Sequence, residues 1–438
     1  MNVSKQELYA GRRAAAMDAM LAGGAGSVAV LAAAPVFIRN NDVEHDYRQD
    51  SDVFYLTGFD EPDSVMVLLA DERKFVMFVR PRDPEREVWD GARAGVEGAV
   101  ANFGAAEAFK ISDFATELPK LLSNKSRLHY RLGRDRGFDE RVLAGLEATR
   151  RRGRMGVSWP TEIVDPGAIL HEMRMFKTSS ELESMRAAAA ITREAHERAM
   201  RATKPGMFEH EIEALLLETF RRGGSERVAY GSIVGSGPNA TVLHYRSNNR
   251  KMESGDLLLI DAGCEYGYYA SDVTRTFPVS GAFTAPQRAI YEVVLEAQIE
   301  SIALTRAGQT LDDVHKKSVE VLTRGLLTLG LLKGDLVDLI AKEAYKPFYM
   351  HRTSHWLGMD VHDVGAYFIA GKHRPLAPGM VITVEPGIYI ARDNASVAPE
   401  WRGIGVRIED DILVTDGEPV NLTDGIPKTV GEIERACA

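Results

Sequence analysis

Apolar runs of strand length mark the first third of the chain. Val28–Leu31 and Val65–Leu69 are continuous apolar runs, and Lys74–Val79 is apolar after its first residue; such runs are typical of strands buried on both faces. Helical patterns alternate with them, and a longer helix-rich stretch follows. This alternation predicts a small α/β domain.

The second part of the chain groups its elements in blocks. Thr178-Ser-Ser-Glu181 is a capping-box pattern that predicts a long helix through Met200, and a second helix is predicted from Glu209 to Arg222. From Gly255 to Phe277 the pattern changes to strands. Further caps follow at Thr284 and Thr310, and then another strand-like region. Helices and strands in separate blocks predict an α+β domain.

A chain of 438 residues is long for a single hydrophobic core. The stretch from Asp165-Pro-Gly167 to Phe176 has the composition of a connection between domains. We therefore predict an N-terminal α/β domain over residues 1–172 and an α+β domain over residues 173–438.

The charge balance limits the classes of partner. With 53 Lys+Arg against 63 Asp+Glu, the chain has a net charge of -10. Such a chain repels phosphate backbones and anionic lipid, so neither nucleic acid nor a membrane is an expected partner. No apolar run is long enough to cross a bilayer.

The two cysteines, Cys264 and Cys437, do not form the pattern of a disulfide framework. The start of the sequence does not follow the order of a secretory signal, because acidic and basic residues precede a weakly apolar stretch. We expect a cytoplasmic protein.

Carboxylates recur at the ends of predicted buried strands. Asp261 ends the run Leu257–Ile260, Glu385 follows Val381–Val384, and Glu409 follows Ile404–Ile408. A buried carboxylate is costly unless something satisfies it, so one such residue means little but three indicate a site. Asp272 is predicted on the strand after Asp261, at the same end of one sheet.

A group of histidines adds a nitrogen ligand. His351, His355 and His362 fall in one short segment of a chain that has 11 histidines in all. A lone histidine is usually structural, but this clustering favours a site, with His355 as the candidate ligand.

These side chains together predict a pair of metal ions. Four carboxylates in one pocket would repel one another, whereas two divalent ions neutralise them. Oxygen-rich ligands with one imidazole suit Mn²⁺, and Co²⁺ or Zn²⁺ are possible. Two such ions can lower the pKa of a water that they share, so the predicted reaction is hydrolysis at a carbonyl or phosphoryl group.

A series of short motifs follows in order along nearly the whole chain. They are Tyr47–Phe59, Glu87–Gly91, Leu243–Tyr245, Ile260–Gly263, Ser271–Phe277, Ser354–Gly358, Val361–Asp363, Val384–Gly387 and Arg407–Glu409. This series resembles the motifs of the pita-bread metallopeptidases, and among them most closely those of the bacterial aminopeptidase P (Xaa-Pro aminopeptidase) group.

The resemblance implies a pita-bread catalytic domain and release of the N-terminal residue from peptides with proline at the second position. It implies five metal ligands, of which Asp272 and Glu409 would bridge the two ions. The five are Asp261, Asp272, His355, Glu385 and Glu409.

Roles for surrounding residues also follow from the resemblance. His244 and His362 would flank the scissile carbonyl, and His351 would line the proline side of the pocket. Arg407 could orient Asp261.

The resemblance also implies roles in proton transfer and at the rim of the substrate pocket. Glu385 would carry a proton between the attacking water and the leaving group. Tyr389 would either donate to the same network or simply pack. Asp42 and Arg374 would help close the substrate pocket. Trp89 would reach the active site of a neighbouring subunit, which makes a homo-oligomer, a dimer or tetramer, the expected state.

Several alternatives stay open at this point. A prolidase, which cuts only Xaa-Pro dipeptides, would have the same ligands, although Trp356 and Asp360 favour the aminopeptidase group. A non-catalytic pita-bread binding protein would typically lose ligands, and none is missing here. Methionine aminopeptidases normally lack the large first domain. Hydrolysis of organophosphates is a conceivable side activity of such a site.

Overall fold

The computed structural model describes residues 5–438 and divides into two compact units, Met1–Met173 and Arg174–Ala438. The sequence-predicted boundary lies one residue before this division. Residues 1–4 lie outside the described residues. They belong to the predicted first domain and to the stretch used above for the prediction about a secretory signal. Within residues 5–438, no helix is both long and apolar enough to cross a membrane.

The first unit is built on a six-stranded mixed sheet. Val65–Leu69 pairs antiparallel with both Ser27–Ala32 and Lys74–Val79, so the most apolar strands lie together in the middle. The strand order is Glu107–Lys110, Lys74–Val79, Val65–Leu69, Ser27–Ala32, Arg127–His129 and Glu162–Val164, with a separate hairpin of Ile38–Asn40 and Val43–Glu44.

Helices surround this sheet. Each predicted strand of the sheet is present, and the runs at 65–69 and 74–79 match the predicted bounds. The described α-helices are Lys5–Ala22, Ser51–Thr57, Pro84–Asp90, Gly95–Phe103, Phe114–Leu121 and Arg136–Arg150, followed by Gly167–Met175, which runs through the boundary.

The second unit begins with the long predicted helix. The Thr178 N–H donates to the Glu181 carboxylate at 2.7 Å, as the capping pattern predicts, and the helix runs over Ser179–Ala202. Its other α-helices are Glu209–Arg222, Ala285–Ala303, Leu311–Thr328, Leu336–Ala341 and Val430–Cys437.

Small antiparallel sheets make up the rest of this unit. They interdigitate with the helices around an apolar core that includes Phe220, Leu258, Tyr291 and Ile408. The sheets are Ile233–Ser236 with Leu257–Asp261 and Thr274–Pro278; Tyr269–Ala270 with Cys264–Tyr266 and Arg227–Val228; Val381–Val384 with Asp410–Leu413 and Val420–Asn421; Gly387–Tyr389 with Gly405–Arg407; and the hairpin Phe368–Ile369 with Lys372–His373.

Candidate metal centre

Strand pairing brings Asp261 and Glu409 to one edge. Asp261 is the last residue of its strand and pairs with Thr274 on the next one. The Glu409 N–H donates to the Thr274 carbonyl at 3.1 Å, and the Thr274 hydroxyl donates to Glu409 Oε2 at 2.6 Å. Thr274 thus holds the two carboxylate-bearing segments side by side.

A second set of backbone bonds places His355 beside Glu385. The Thr383 N–H donates to the His355 carbonyl at 3.1 Å, and the Glu385 N–H donates to the Thr353 carbonyl at 2.9 Å. The histidine segment therefore runs along the strand Val381–Val384, and Glu385 directly follows this strand. His355 Nε2 lies 3.7 Å from Glu385 Oε1.

Asp272 is not on a strand, which corrects the sequence prediction. The ladder with Leu257–Asp261 begins at Thr274, so Asp272 lies in the preceding connection. The pairing is irregular here, with the Ala262 N–H donating to the Val273 carbonyl at 3.0 Å and the Ser271 N–H donating to the Cys264 carbonyl at 3.0 Å, and the chain approaches closely at Gly263, where a Cβ atom would lie 1.9 Å from the Ser271 carbonyl oxygen. Asp272 still faces the cluster, since its Oδ2 is 3.4 Å from His355 Nε2.

The predicted residues of the second unit meet at a cavity of about 740 Å³. One donor atom from each of Asp272, His355 and Glu409 lies within 4.8 Å of the others, an arrangement that could hold a metal ion. The predicted residues that line the cavity are Asp261, Asp272, Glu385, Glu409, His355, His244, His351, His362, Arg374 and Arg407.

Burial and mutual repulsion perturb these carboxyl groups. Burial and the charges of Asp272 and Glu385 raise the pKa of Glu409 well above its usual value. Burial likewise raises the pKa of Glu385 to about 7, against the opposing effect of His355. Burial raises the pKa of Asp261 as well, although the nearby Arg407 lowers it. Such a set of acids is held together at neutral pH by protons or by cations.

The His355 imidazole is oriented towards the carboxylates. Burial lowers the pKa of His355, but the hydrogen bond with Asp272 and the charge of Glu385 outweigh it and raise the value to about 9. His355 Nδ1 lies 3.0 Å from the Trp356 carbonyl, so Nε2 is the atom that faces the carboxylates. An imidazole fixed in this way by its other nitrogen is the usual arrangement of a metal ligand. The donor set therefore fits divalent cations.

Arg407 connects the cluster to the wall of the cavity. Its Nη2 donates to Asp261 Oδ2 at 2.5 Å, its Nε to the Thr274 hydroxyl at 3.1 Å and its Nη1 to the Tyr389 hydroxyl at 3.0 Å. The Tyr389 hydroxyl also lies 2.8 Å from His351 Nε2. The buried Tyr389 hydroxyl thus contacts both Arg407 and His351.

The remaining predicted residues of the second unit, His244, His362 and Arg374, also line the cavity. The His362 and His355 ring centroids are 4.4 Å apart, and the rings are nearly perpendicular. His244 lies on an exposed loop that lines the cavity. The Arg374 guanidinium lies 5.7 Å from the Phe176 ring centroid.

Two predicted rim residues belong to the first unit. Asp42 is exposed in the turn between Ile38–Asn40 and Val43–Glu44. Trp89 lies on the helix Pro84–Asp90 with 83% of its surface exposed. Their roles in substrate binding stay predictions.

Two residues at the centre were not found by sequence reasoning. The Tyr230 hydroxyl donates to Asp261 Oδ1 at 2.6 Å, and burial and the Asp261 charge keep the pKa of Tyr230 well above its usual value. Asp411 Oδ2 accepts from the Asp272 N–H at 3.2 Å. The doubled acid Asp410-Asp411 was a possible signal for the second, but nothing in the local sequence singles out Tyr230.

A cluster of buried carboxylates and an imidazole in a domain of small sheets, preceded by a separate α/β domain, defines a metal-dependent hydrolase. The chain belongs to metallopeptidase family M24. The model of that family matches residues 183–416, and the model of the aminopeptidase P N-terminal domain matches residues 9–130.

Relatives match along their full length. The chain is 44% identical to Xaa-Pro aminopeptidase of Escherichia coli strain K12, over 99% of this chain and 97% of the relative. The solved structure of Pseudomonas aeruginosa aminopeptidase PepP is 51% identical with a TM-score of 0.97, covering 100% of this chain and 99% of the other. A zinc-substituted E. coli aminopeptidase P in complex with product is 43% identical with a TM-score of 0.96, covering 100% and 99%.

These matches confirm the predicted architecture and enzyme class. The protein is a hydrolase with an aminopeptidase P N-terminal domain followed by a pita-bread metallopeptidase domain. A non-catalytic binding protein is thereby disfavoured.

Proposed function

We propose that this protein releases the N-terminal residue from peptides whose second residue is proline. The observation that carries the proposal is the convergence of Asp261, Asp272, His355, Glu385 and Glu409 on one cavity. Relatives that match over nearly their whole length are named for the same activity.

The five convergent residues would hold two divalent ions. Mn²⁺ is the first choice from the oxygen-rich donor set, and Co²⁺ or Zn²⁺ are the alternatives. The ions would supply a nucleophile of lowered pKa and would polarise the scissile carbonyl.

Side chains of the protein would perform proton transfer and stabilise the developing charge. Glu385, whose carboxylate lines the cavity, is suited to accept a proton from the attacking water and give it to the leaving nitrogen. Burial lowers the pKa of His362, which disfavours its charged form. His362 and His244 both line the cavity and can offer N–H donors to the charge that develops on the carbonyl oxygen.

His351 has the features of a wall for the proline ring. Its Nδ1 lies 2.8 Å from the Arg352 carbonyl and its Nε2 lies 2.8 Å from the Tyr389 hydroxyl. Burial and Arg407 lower the pKa of His351 to about 3. A neutral ring with both nitrogens engaged suits packing against substrate better than proton transfer.

A peptide panel tests the activity. The metal-free protein should be inactive, and after Mn²⁺ addition it should cut Ala-Pro-Ala but not Ala-Ala-Ala. Cleavage of Ala-Pro dipeptide alone would indicate a prolidase instead. Asp261→Ala should abolish hydrolysis, and unchanged hydrolysis in that variant would exclude the two-metal mechanism.

We also propose a homo-oligomer, a dimer or tetramer, in the cytoplasm. Val88 and Trp89 are both more than 80% exposed on one short helix, and a second copy of the chain is the occupant that would cover them. Two free, buried cysteines fit a reducing compartment. Light scattering should show an oligomer, and Trp89→Ala should weaken it or lower the activity per subunit; a fully active monomer would contradict the proposal.

A further inference from the structure

Charged side chains around the cavity are segregated by sign. Among the described residues that line it, every carboxylate belongs to the candidate metal centre. Outside that centre and Arg407, which is bound to it, the lining arginines are Arg246, Arg352 and Arg374. Since the chain has a net charge of -10, this group of cations does not follow from composition.

The three outer arginines differ in their partners. Arg352 Nη2 donates to Asp312 Oδ1 at 3.0 Å, so its charge is compensated. Arg374 is buried, and its guanidinium faces the Phe176 ring. Arg246 is exposed, and no carboxylate among residues 5–438 lies within ion-pair distance of it. It is the rim guanidinium that can take an anionic partner from outside the chain.

Arg246 lies close to the reacting part of the cavity. A Cβ atom at Gly231 would be 3.4 Å from Arg246 Nη1, so the guanidinium lies against the backbone there. The preceding residue, Tyr230, donates to Asp261 at 2.6 Å. His244 lines the same wall two residues before Arg246. A substrate at the centre would therefore occupy the same cavity that this side chain lines.

We propose that Arg246 is a specificity-determining residue that favours peptides with a carboxylate side chain on the residue before the scissile bond or on the residue after the proline. This inference rests on the proposed peptidase activity. A guanidinium can donate two parallel hydrogen bonds to a carboxylate, which a neutral amide cannot match. Because Arg246 is exposed, the expected preference is modest, about 2- to 5-fold in kcat/KM, and decreases with salt.

Two matched pairs of amidated peptides test the inference on the Mn²⁺-loaded full chain. Glu-Pro-Ala against Gln-Pro-Ala places the charge before the scissile bond, and Ala-Pro-Glu against Ala-Pro-Gln places it after. In the wild type, the Glu/Gln ratio of kcat/KM should exceed one for at least one pair, chiefly through KM. Arg246→Met should bring that ratio to about one, and Arg246→Lys should retain part of it.

A charge-matched control excludes an effect of net charge alone. Arg222→Met removes one positive charge from the exposed end of the helix Glu209–Arg222 and should leave the wild-type ratio unchanged. A ratio that Arg246→Met does not alter, or a wild-type ratio of one or less for both pairs, would overturn the inference. If the wild type cuts neither Gln peptide, the peptidase proposal itself fails; normal cleavage of the Gln peptides without selectivity removes only the role of Arg246.

Discussion

Arg174 Nη2 lies 2.6 Å from Asp363 Oδ1, and both side chains are almost completely buried. The other oxygen of Asp363 accepts from Lys177 Nζ at 3.1 Å, so one carboxylate compensates two buried cations. Asp363 directly follows His362, which lines the cavity. This ion cluster therefore fixes the segment that presents His362.

Asp363→Asn should destabilise the fold strongly. Loss of the shared carboxylate removes the nearest negative charge from the buried ammonium of Lys177 and one of the negative charges beside Arg174, for which a loss of about 3–5 kcal/mol in the free energy of unfolding is expected. Urea denaturation of the metal-free variant and wild type measures this loss. Asp360, 35% exposed, also binds Arg174 at 2.7 Å, and Asp360→Asn should cost about 1 kcal/mol or less. Equal effects of the two substitutions would contradict this account.

Arg407→Lys should weaken metal binding while keeping the positive charge. The guanidinium contacts Asp261, Thr274 and Tyr389 at once, and an ammonium group cannot reach all three. Loss of a group that orients a ligand typically lowers metal affinity by about 10–100-fold. Isothermal titration with Mn²⁺ measures it. Tyr389→Phe, which removes one of the three contacts, should have a smaller effect, and wild-type affinity in Arg407→Lys would contradict the prediction.

The sequence predicts those site residues whose burial is evident from their neighbours along the chain. Asp261, Glu385 and Glu409 each follow an apolar run, and a carboxylate at the end of a buried strand needs compensation. The strand Lys74–Val79 and the helix Glu209–Arg222 were likewise predicted from local patterns and have the predicted bounds.

What sequence reasoning missed depends on long-range contacts. Tyr230 and Asp261 are 31 positions apart, and Asp272 and Asp411 are 139 apart, so no local pattern links them. The prediction places Asp272 on a strand because it lies in the strand-patterned stretch from Gly255 to Phe277. The pairing around Asp272 is irregular, with close packing at Gly263 that the local sequence does not show.

Metal binding should release protons near pH 6.5. Burial and mutual repulsion raise the pKa values of Asp261, Glu385 and Glu409, so the metal-free centre retains protons that cations displace. Mn²⁺ affinity should therefore increase with pH. Titrations in two buffers of different ionisation enthalpy count the protons released. Glu409→Gln should release fewer, and an absence of proton release in the wild type would contradict the assignment.

His196 should make the fold sensitive to acid independently of the metal centre. Burial lowers the pKa of His196 to about 4, while its Nε2 lies 3.0 Å from the Ala262 carbonyl. An unfolded chain has a histidine pKa of about 6.5, so it takes up the proton first as the pH falls. Stability present above pH 6.5 is thus lost progressively towards pH 4, by roughly 2 kcal/mol at pH 5. Urea denaturation of the metal-free protein at pH 7 and pH 5 measures the loss, and His196→Gln should reduce it by about this amount because all other titrating groups are shared. Parallel pH dependences of wild type and variant would show that His196 does not control the acid limb.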